Sequence, residues 1–248
     1  MRKLLIRAIK PACLALALSG CAHRSSKNST SAVLRVPFLD CPVTVDGNLD
    51  EPCYRLAPLV ADFVIAGAPG RRAAATSAWL FWSEERLVFA FDCDDTACVT
   101  SPPTSSEHDV DPQDRVELFL WSGREADGYC CIEVAARGAV HDYAARFYRR
   151  FDDAWSPRGW QCGVKLRPGG YRVEAALSRA ALEAMGFHPR AGARLRAGLF
   201  RADFAPGKPD ATDWITWVDA RTPQPDFHVA AAFGTLEFQP PGPPRPPE

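Results

Sequence analysis

Long apolar runs are scarce in this chain. The one near its start, Ala12–Leu18, is far shorter than the roughly 20 residues that a membrane-spanning helix needs. Catalytic signatures are missing too. There is no G-x-S-x-G, no P-loop and no H-E-x-x-H, so no motif supports an enzyme. A glycosidase would need two carboxylates flanking a cleft, and no motif supplies them. No C-x-x-C pair occurs and no closely spaced histidine pair accompanies the cysteines, which argues against a structural zinc site. Extended clusters of Lys and Arg are absent as well. The chain carries 29 basic and 30 acidic side chains. Residues 1–21 hold four of the basic ones and no acidic one, so the remainder stands at 25 against 30, a net −5. That balance argues against nucleic acid as a partner, because phosphate binding needs clustered cations.

What is present begins with a basic leader, Arg2, Lys3, Arg7 and Lys10, ahead of the apolar run. The combination predicts a cleaved export signal over residues 1–20. It closes in Leu18-Ser19-Gly20-Cys21, which resembles the lipobox of bacterial lipoproteins. The resemblance implies lipidation of Cys21 as the first residue of the mature chain. With Ala22 rather than Asp after it, it also implies an outer-membrane lipoprotein, on the periplasmic or the surface face. Acyl chains add about 0.8 kcal/mol per buried methylene, and several hold where one does not. A plain signal peptide with an incidental cysteine is the alternative. Residues 21–32 then form a flexible tether, and 239–248, QPPGPPRPPE, an extended proline-rich tail.

There are nine cysteines. Cys13 leaves with the signal and Cys21 takes lipid, leaving Cys41, Cys53, Cys93, Cys98, Cys130, Cys131 and Cys162. Such a set suits an oxidising compartment, with Cys41–Cys53 and Cys93–Cys98 as candidate local bridges and at least one thiol left over.

Residues 33–238 alternate in short apolar runs separated by Gly, Pro and Asp turns. In TSAWLFW, Ala78, Leu80 and Trp82 face one way, Trp79 and Phe81 the other, and RLVFAFDC returns after a Ser-Glu-Glu turn. In RVELFLW, Val116, Leu118 and Leu120 share one face, while Arg115, Glu117, Phe119 and Trp121 share the opposite one. Two further hairpins are expected at Arg137-Gly138 and at Pro168-Gly169-Gly170, and one helix at SRAALEAMGF, capped by Ser178 and closed by Gly186. About ten or more strands with one short helix predict an all-β fold, a two-sheet antiparallel β-sandwich of the jelly-roll kind.

Five stretches carry a more specific likeness: VTVDGNLDEPCYRLAP, TSAWLFWSEERLVFAFDCDD, DPQDRVELFLW, GYRVEAALSRAAL and DFHVAAAFGTLEF. In this order they resemble carbohydrate-binding module family 9, with Tyr54 where that family usually has tryptophan. The resemblance implies non-catalytic binding of a saccharide or polysaccharide between two flat aromatics, with carboxylate and amide groups gripping the hydroxyls. Residue by residue it implies Glu117 as the gripping carboxylate, Phe227 as one aromatic wall and Gln224 near the amide ligand. Glu133 falls where the family has a ligand arginine. The second aromatic wall is replaced by Asp111, unless His108, Tyr143 or Trp214 substitutes. Of the two tryptophans in DWITW, Trp217 shares a face with Ile215 and is expected in the core, while Trp214 is the platform candidate. Family members often hold calcium, which makes Asp92, Asp94 and Asp95 a candidate site, a solvated acidic turn being the alternative. Two other functions stand beside saccharide binding. One is a DOMON-type haem-binding electron-transfer domain, for which Met185 is the sole methionine left after processing. The other is a structural envelope lipoprotein that has lost its sugar site.

Overall fold

The computed structural model describes residues 32–56, 58–102 and 106–242. Cys21, the export signal, most of the tether and the last six residues of the proline-rich tail lie outside the described residues. The strands are β1 (Val33–Val36), β2 (Val64–Ile65), β3 (Thr76–Trp82), β4 (Arg86–Asp94), β5 (Arg115–Trp121), β6 (Tyr129–Ala135) and β7 (Val140–Arg146). They continue as β8 (Arg150–Asp152), β9 (Trp160–Arg167), β10 (Gly170–Ser178), β11 (Arg194–Ala205), β12 (Lys208–Thr216) and β13 (Gly234–Phe238), with one helix, α1 (Arg179–Ala184). The larger sheet runs β1-β13-β11-β5-β6-β7-β8, with β12 on β11 and β2 on β12; the smaller runs β3-β4-β10-β9. This is the expected two-sheet sandwich. Its one departure from antiparallel pairing between named strands is β1, which lies parallel to the closing strand β13.

Period-two alternation explains why the sheets face each other. Val116, Leu118 and Leu120 of β5 and Leu195, Ala197 and Leu199 of β11 meet Leu80, Phe89, Phe91, Val173 and Ala175 of the smaller sheet in one core. Each large apolar side chain so buried stabilises by about 1.5–3 kcal/mol. Trp217 packs against this core as expected, and Phe238 lies within it.

The outer faces are covered as well, which alternation alone does not reveal. Over the smaller sheet, residues 39–54 bury Phe81 and Val88. Over the larger one, Phe227, Ala232 and Phe233 seal Phe119, Trp121, Tyr129 and Phe200. The helix starts as predicted, with Ser178 Oγ accepting from Ala181 N–H at 3.1 Å, and stops at Gly186, whose φ of +81° favours glycine.

Two expectations from side-chain type meet different partners. All seven cysteines among the described residues are free thiols. Cys41 and Cys53 are hydrogen-bonded neighbours, whereas Cys93 lies beside Tyr171 and Cys98 beside Asp114. The acidic step after β4 is occupied by guanidinium groups. Arg167 pairs with Asp92 and Asp94 at 2.6 Å each, Arg172 with Asp92 at 2.8 Å, and Arg201 lies 3.5 Å from Asp95. Arg167 Nη2 sits where Asp92 and Asp94 converge, and cations of the protein already neutralise these carboxylates, so the donor set does not fit calcium.

Candidate functional site

The outer face of the larger sheet carries a cavity of about 340 Å³. Its floor follows from register. His141 on β7 stands opposite Glu133 on β6, Glu133 opposite Glu117 on β5, and Glu117 opposite Phe200 on β11. The tight β6–β7 turn at Arg137-Gly138 fixes the first pairing. Arg115, two residues before Glu117, shares its face and places Nε 2.9 Å from Glu117 Oε1 and 2.7 Å from Glu133 Oε2. Arg115 Nη1 also donates to the Asp111 carbonyl at 2.7 Å, and Tyr143 donates its hydroxyl to Glu133 Oε1 at 2.7 Å.

The floor is charged and dry. The Glu117 side chain is 2% exposed, that of Glu133 5% and that of Arg115 8%. Burial pushes Glu117 up to about 8 and the neighbouring Glu133 adds to the rise, while Arg115 pulls the other way. Burial likewise raises the Tyr143 hydroxyl. Although close, Arg115 Nε, Glu117 Oε1 and Glu133 Oε2 have no aligned hydrogen-bond partner. Buried polar atoms left this way are costly and are expected to find partners in a ligand or water.

Aromatic groups line the sides. Phe227 is buried, stacks on Phe200 with centroids 4.1 Å apart and 10° between planes, and meets Trp214 edge-on at 5.6 Å. Arg115 lies over the Trp214 ring at 5.8 Å, which ties wall to floor. Phe151 of β8 is 46% exposed and lines the same cavity. The loop bearing Phe227 is clamped to the hairpin bearing Phe151 through Asp226. Arg149 Nη2 donates to its Oδ1 at 2.8 Å, Tyr148 hydroxyl to its Oδ2 at 2.6 Å, and His228 N–H to Oδ1 at 2.9 Å. Asp226 is held below the usual carboxylate range: burial opposes this, but the Tyr148 hydroxyl and the other donors outweigh it. Burial, with Arg149 nearby, takes His228 down to about 4, and its Nδ1 lies within hydrogen-bond distance of the Tyr129 hydroxyl, at 2.9 Å.

The remaining wall is polar. Asp111 Oδ1 lies 3.0 Å from His141 Nδ1 and its Oδ2 3.3 Å from His108 Nδ1. Burial opposes ionisation of His141, yet the Asp111 hydrogen bond and the Glu133 charge raise it overall. Burial also works against the Asp111 charge, and His141 overcomes it to lower the carboxyl.

Of the residues read from sequence, Glu117, Glu133, Phe227 and Trp214 come together here, with His108, Tyr143 and Asp111 beside them. Gln224 does not. Its side chain is exposed on the loop before Pro225, and its carbonyl accepts from Thr222 Oγ1. His141 pairs with Asp111 rather than with its chain neighbour Asp142. Arg115, Phe151, Arg149 and His228 were not foreseen as site residues. Arg115 was legible as a cation on Glu117's face; Phe151 sits on a three-residue strand with no alternation to read. Met185 caps α1 and packs on the central core, and does not line the cavity.

No protein-family model matches this chain, and no curated protein does. Solved structures do. A Bacteroides uniformis protein provisionally described as carbohydrate-binding aligns with TM-score 0.63 at 15% identity, over 85% of this chain and 100% of its own. A family 9 carbohydrate-binding module of Caldicellulosiruptor kristjanssonii aligns at 17% identity over 87% of this chain and 100% of its own. Its TM-score is 0.57 in complex with cellotriose and 0.59 in complex with glucose. At such identity the likeness is one of architecture: this chain has the β-sandwich fold of family 9 carbohydrate-binding modules.

Proposed function

We propose that this chain is a non-catalytic saccharide-binding domain, held at the cell envelope by lipid on Cys21. The observation that carries the reading is a single cavity in which buried, unaligned carboxylate and guanidinium atoms lie beneath flat aromatic rings. A sugar ring presents both matching surfaces: C–H faces for Phe227, Trp214 and Phe151, and hydroxyls for Glu117, Glu133 and Arg115. Solved neighbours of the same fold, bound to glucose and cellotriose, support it.

Calorimetric titration with neutral and uronic oligosaccharides tests this. Saturable heat with a neutral glycan is the expected result; none with any glycan sinks it. One observation favours hydrolysis as a second reading: Glu117, raised to about 8, faces Glu133 across one guanidinium nitrogen. Release of reducing ends from a bound glycan would select it. The anchor is tested separately by labelled palmitate, whose incorporation should vanish in C21S.

A further inference from the structure

We propose that His108, His141 and Asp153 form a site for one divalent transition-metal ion, zinc foremost, in the polar wall of the cavity. In sequence no two histidines stand close enough to suggest it. The fold brings His108, on the short turn Glu107–Val110, against His141 on β7, with ring centroids 4.7 Å apart.

The argument rests on which nitrogens are already used. Asp111 takes Nδ1 of both rings, at 3.3 Å from His108 and 3.0 Å from His141. With Nδ1 of each ring engaged by Asp111, Nε2 is the nitrogen left to meet an ion. The two Nε2 atoms flank the carboxylate of Asp153, His108 Nε2 at 3.6 Å from its Oδ2 and His141 Nε2 at 3.9 Å from its Oδ1. These gaps are long for hydrogen bonds. They lie close to the separation of about 3.4 Å between ligands of a tetrahedral ion with bonds of about 2.0–2.1 Å.

A second observation points the same way. The His141 side chain is only 7% exposed, and its Nε2 is buried without any hydrogen-bond partner. A shared carboxylate that orients imidazoles through Nδ1–H while Nε2 meets the ion is the usual supporting arrangement of zinc sites. His108 and Asp153 are more than half exposed and can close on an ion, while His141 is held by the sheet. Two imidazoles and a carboxylate suit zinc, cobalt or nickel rather than calcium. All three line the cavity, so an ion held here meets whatever enters it.

The test is calorimetric titration of the reduced mature chain with zinc chloride, without saccharide, so that its outcome is independent of the sugar reading. One equivalent is expected to bind. H108A, at an exposed position where circular dichroism should confirm an intact fold, and D153N should each lose at least tenfold in affinity. D111N, acting through orientation, should lose roughly tenfold. Cobalt(II) should give visible d–d bands without a thiolate charge-transfer band. Absence of saturable zinc binding, undiminished affinity in H108A, or a thiolate band that places the ion at the cysteines would each overturn the proposal.

Discussion

In the proposed saccharide site, Glu117 is the residue on which binding is expected to turn. Its carboxyl is buried beside one cation and one like charge, so its hydrogen bonds to a hydroxyl are made away from water. Such bonds are worth about 1.5–3 kcal/mol. E117Q is therefore expected to weaken glycan binding roughly 10- to 100-fold by calorimetry. Its thermal midpoint should hold or rise, because the repulsion from Glu133 is gone. The aromatic walls separate binding from folding. Phe151 is half exposed, so F151A should cost affinity with little change in melting. Phe227 is buried against Phe200, so F227A should lose both, with about 3–5 kcal/mol of stability read from urea unfolding. If F151A binds as tightly as the parent, that wall is not part of the site.

Among the elements, the turn at Asp46-Gly47 shows how one strand holds a distant segment. Glu174 on β10 is buried and accepts from Asp46 N–H and Gly47 N–H at 3.0 Å each and from the Tyr54 hydroxyl at 2.6 Å. The turn is pressed so closely on β9 that a methyl group on Gly163 would lie 2.6 Å from Asp46 Cα. At this position the Tyr54 hydroxyl is a donor for a buried carboxylate. Removing it in Y54F should lower stability by about 1–2 kcal/mol without touching glycan affinity, since the turn packs over the other sheet. Unchanged urea midpoints would refute that account. Strands as elements were legible where alternation ran for seven residues or more, as in β3 and β5. The two-residue β2 and the parallel pairing of β1 with β13 were not, because neither has a local pattern and each depends on which distant strand it meets.

For the molecule as a whole, buried carboxyls set the response to pH. Asp114 accepts from Phe204 N–H at 2.6 Å and from Val99 N–H, yet burial, with Asp95 alongside, raises it from 3.8 to about 7. Glu117 rises from 4.5 to about 8. A carboxyl whose folded value lies above its unfolded one binds more protons when folded. Its contribution is complete below the unfolded value and is lost as pH climbs through the folded one. Asp111 and Asp226 run the other way, their contribution being lost as pH falls below the usual carboxylate range. Stability should therefore peak at about pH 5 and decline toward pH 8 in denaturant titrations. D95N, which replaces the coupled partner by an amide that can donate to Asp114, should flatten that decline. An unchanged slope would place the pH response elsewhere.

The amino-acid sequence by itself determined the sandwich and the capped helix, while the family resemblance named Glu117, Glu133 and Phe227, and alternation named Trp214, as candidate site residues. Strand alternation assigns a side chain to a face from local order alone. The tertiary structure alone decided that the outer faces are covered, that Arg115 lies between the two glutamates, and that Phe151 supplies the further aromatic wall. It also decided that Asp111 binds His108 and His141 into one cluster, and that arginines from other strands occupy the acidic step after β4. Each of these joins groups far apart in the chain, and such distances are set by strand order and loop packing, which no local pattern encodes.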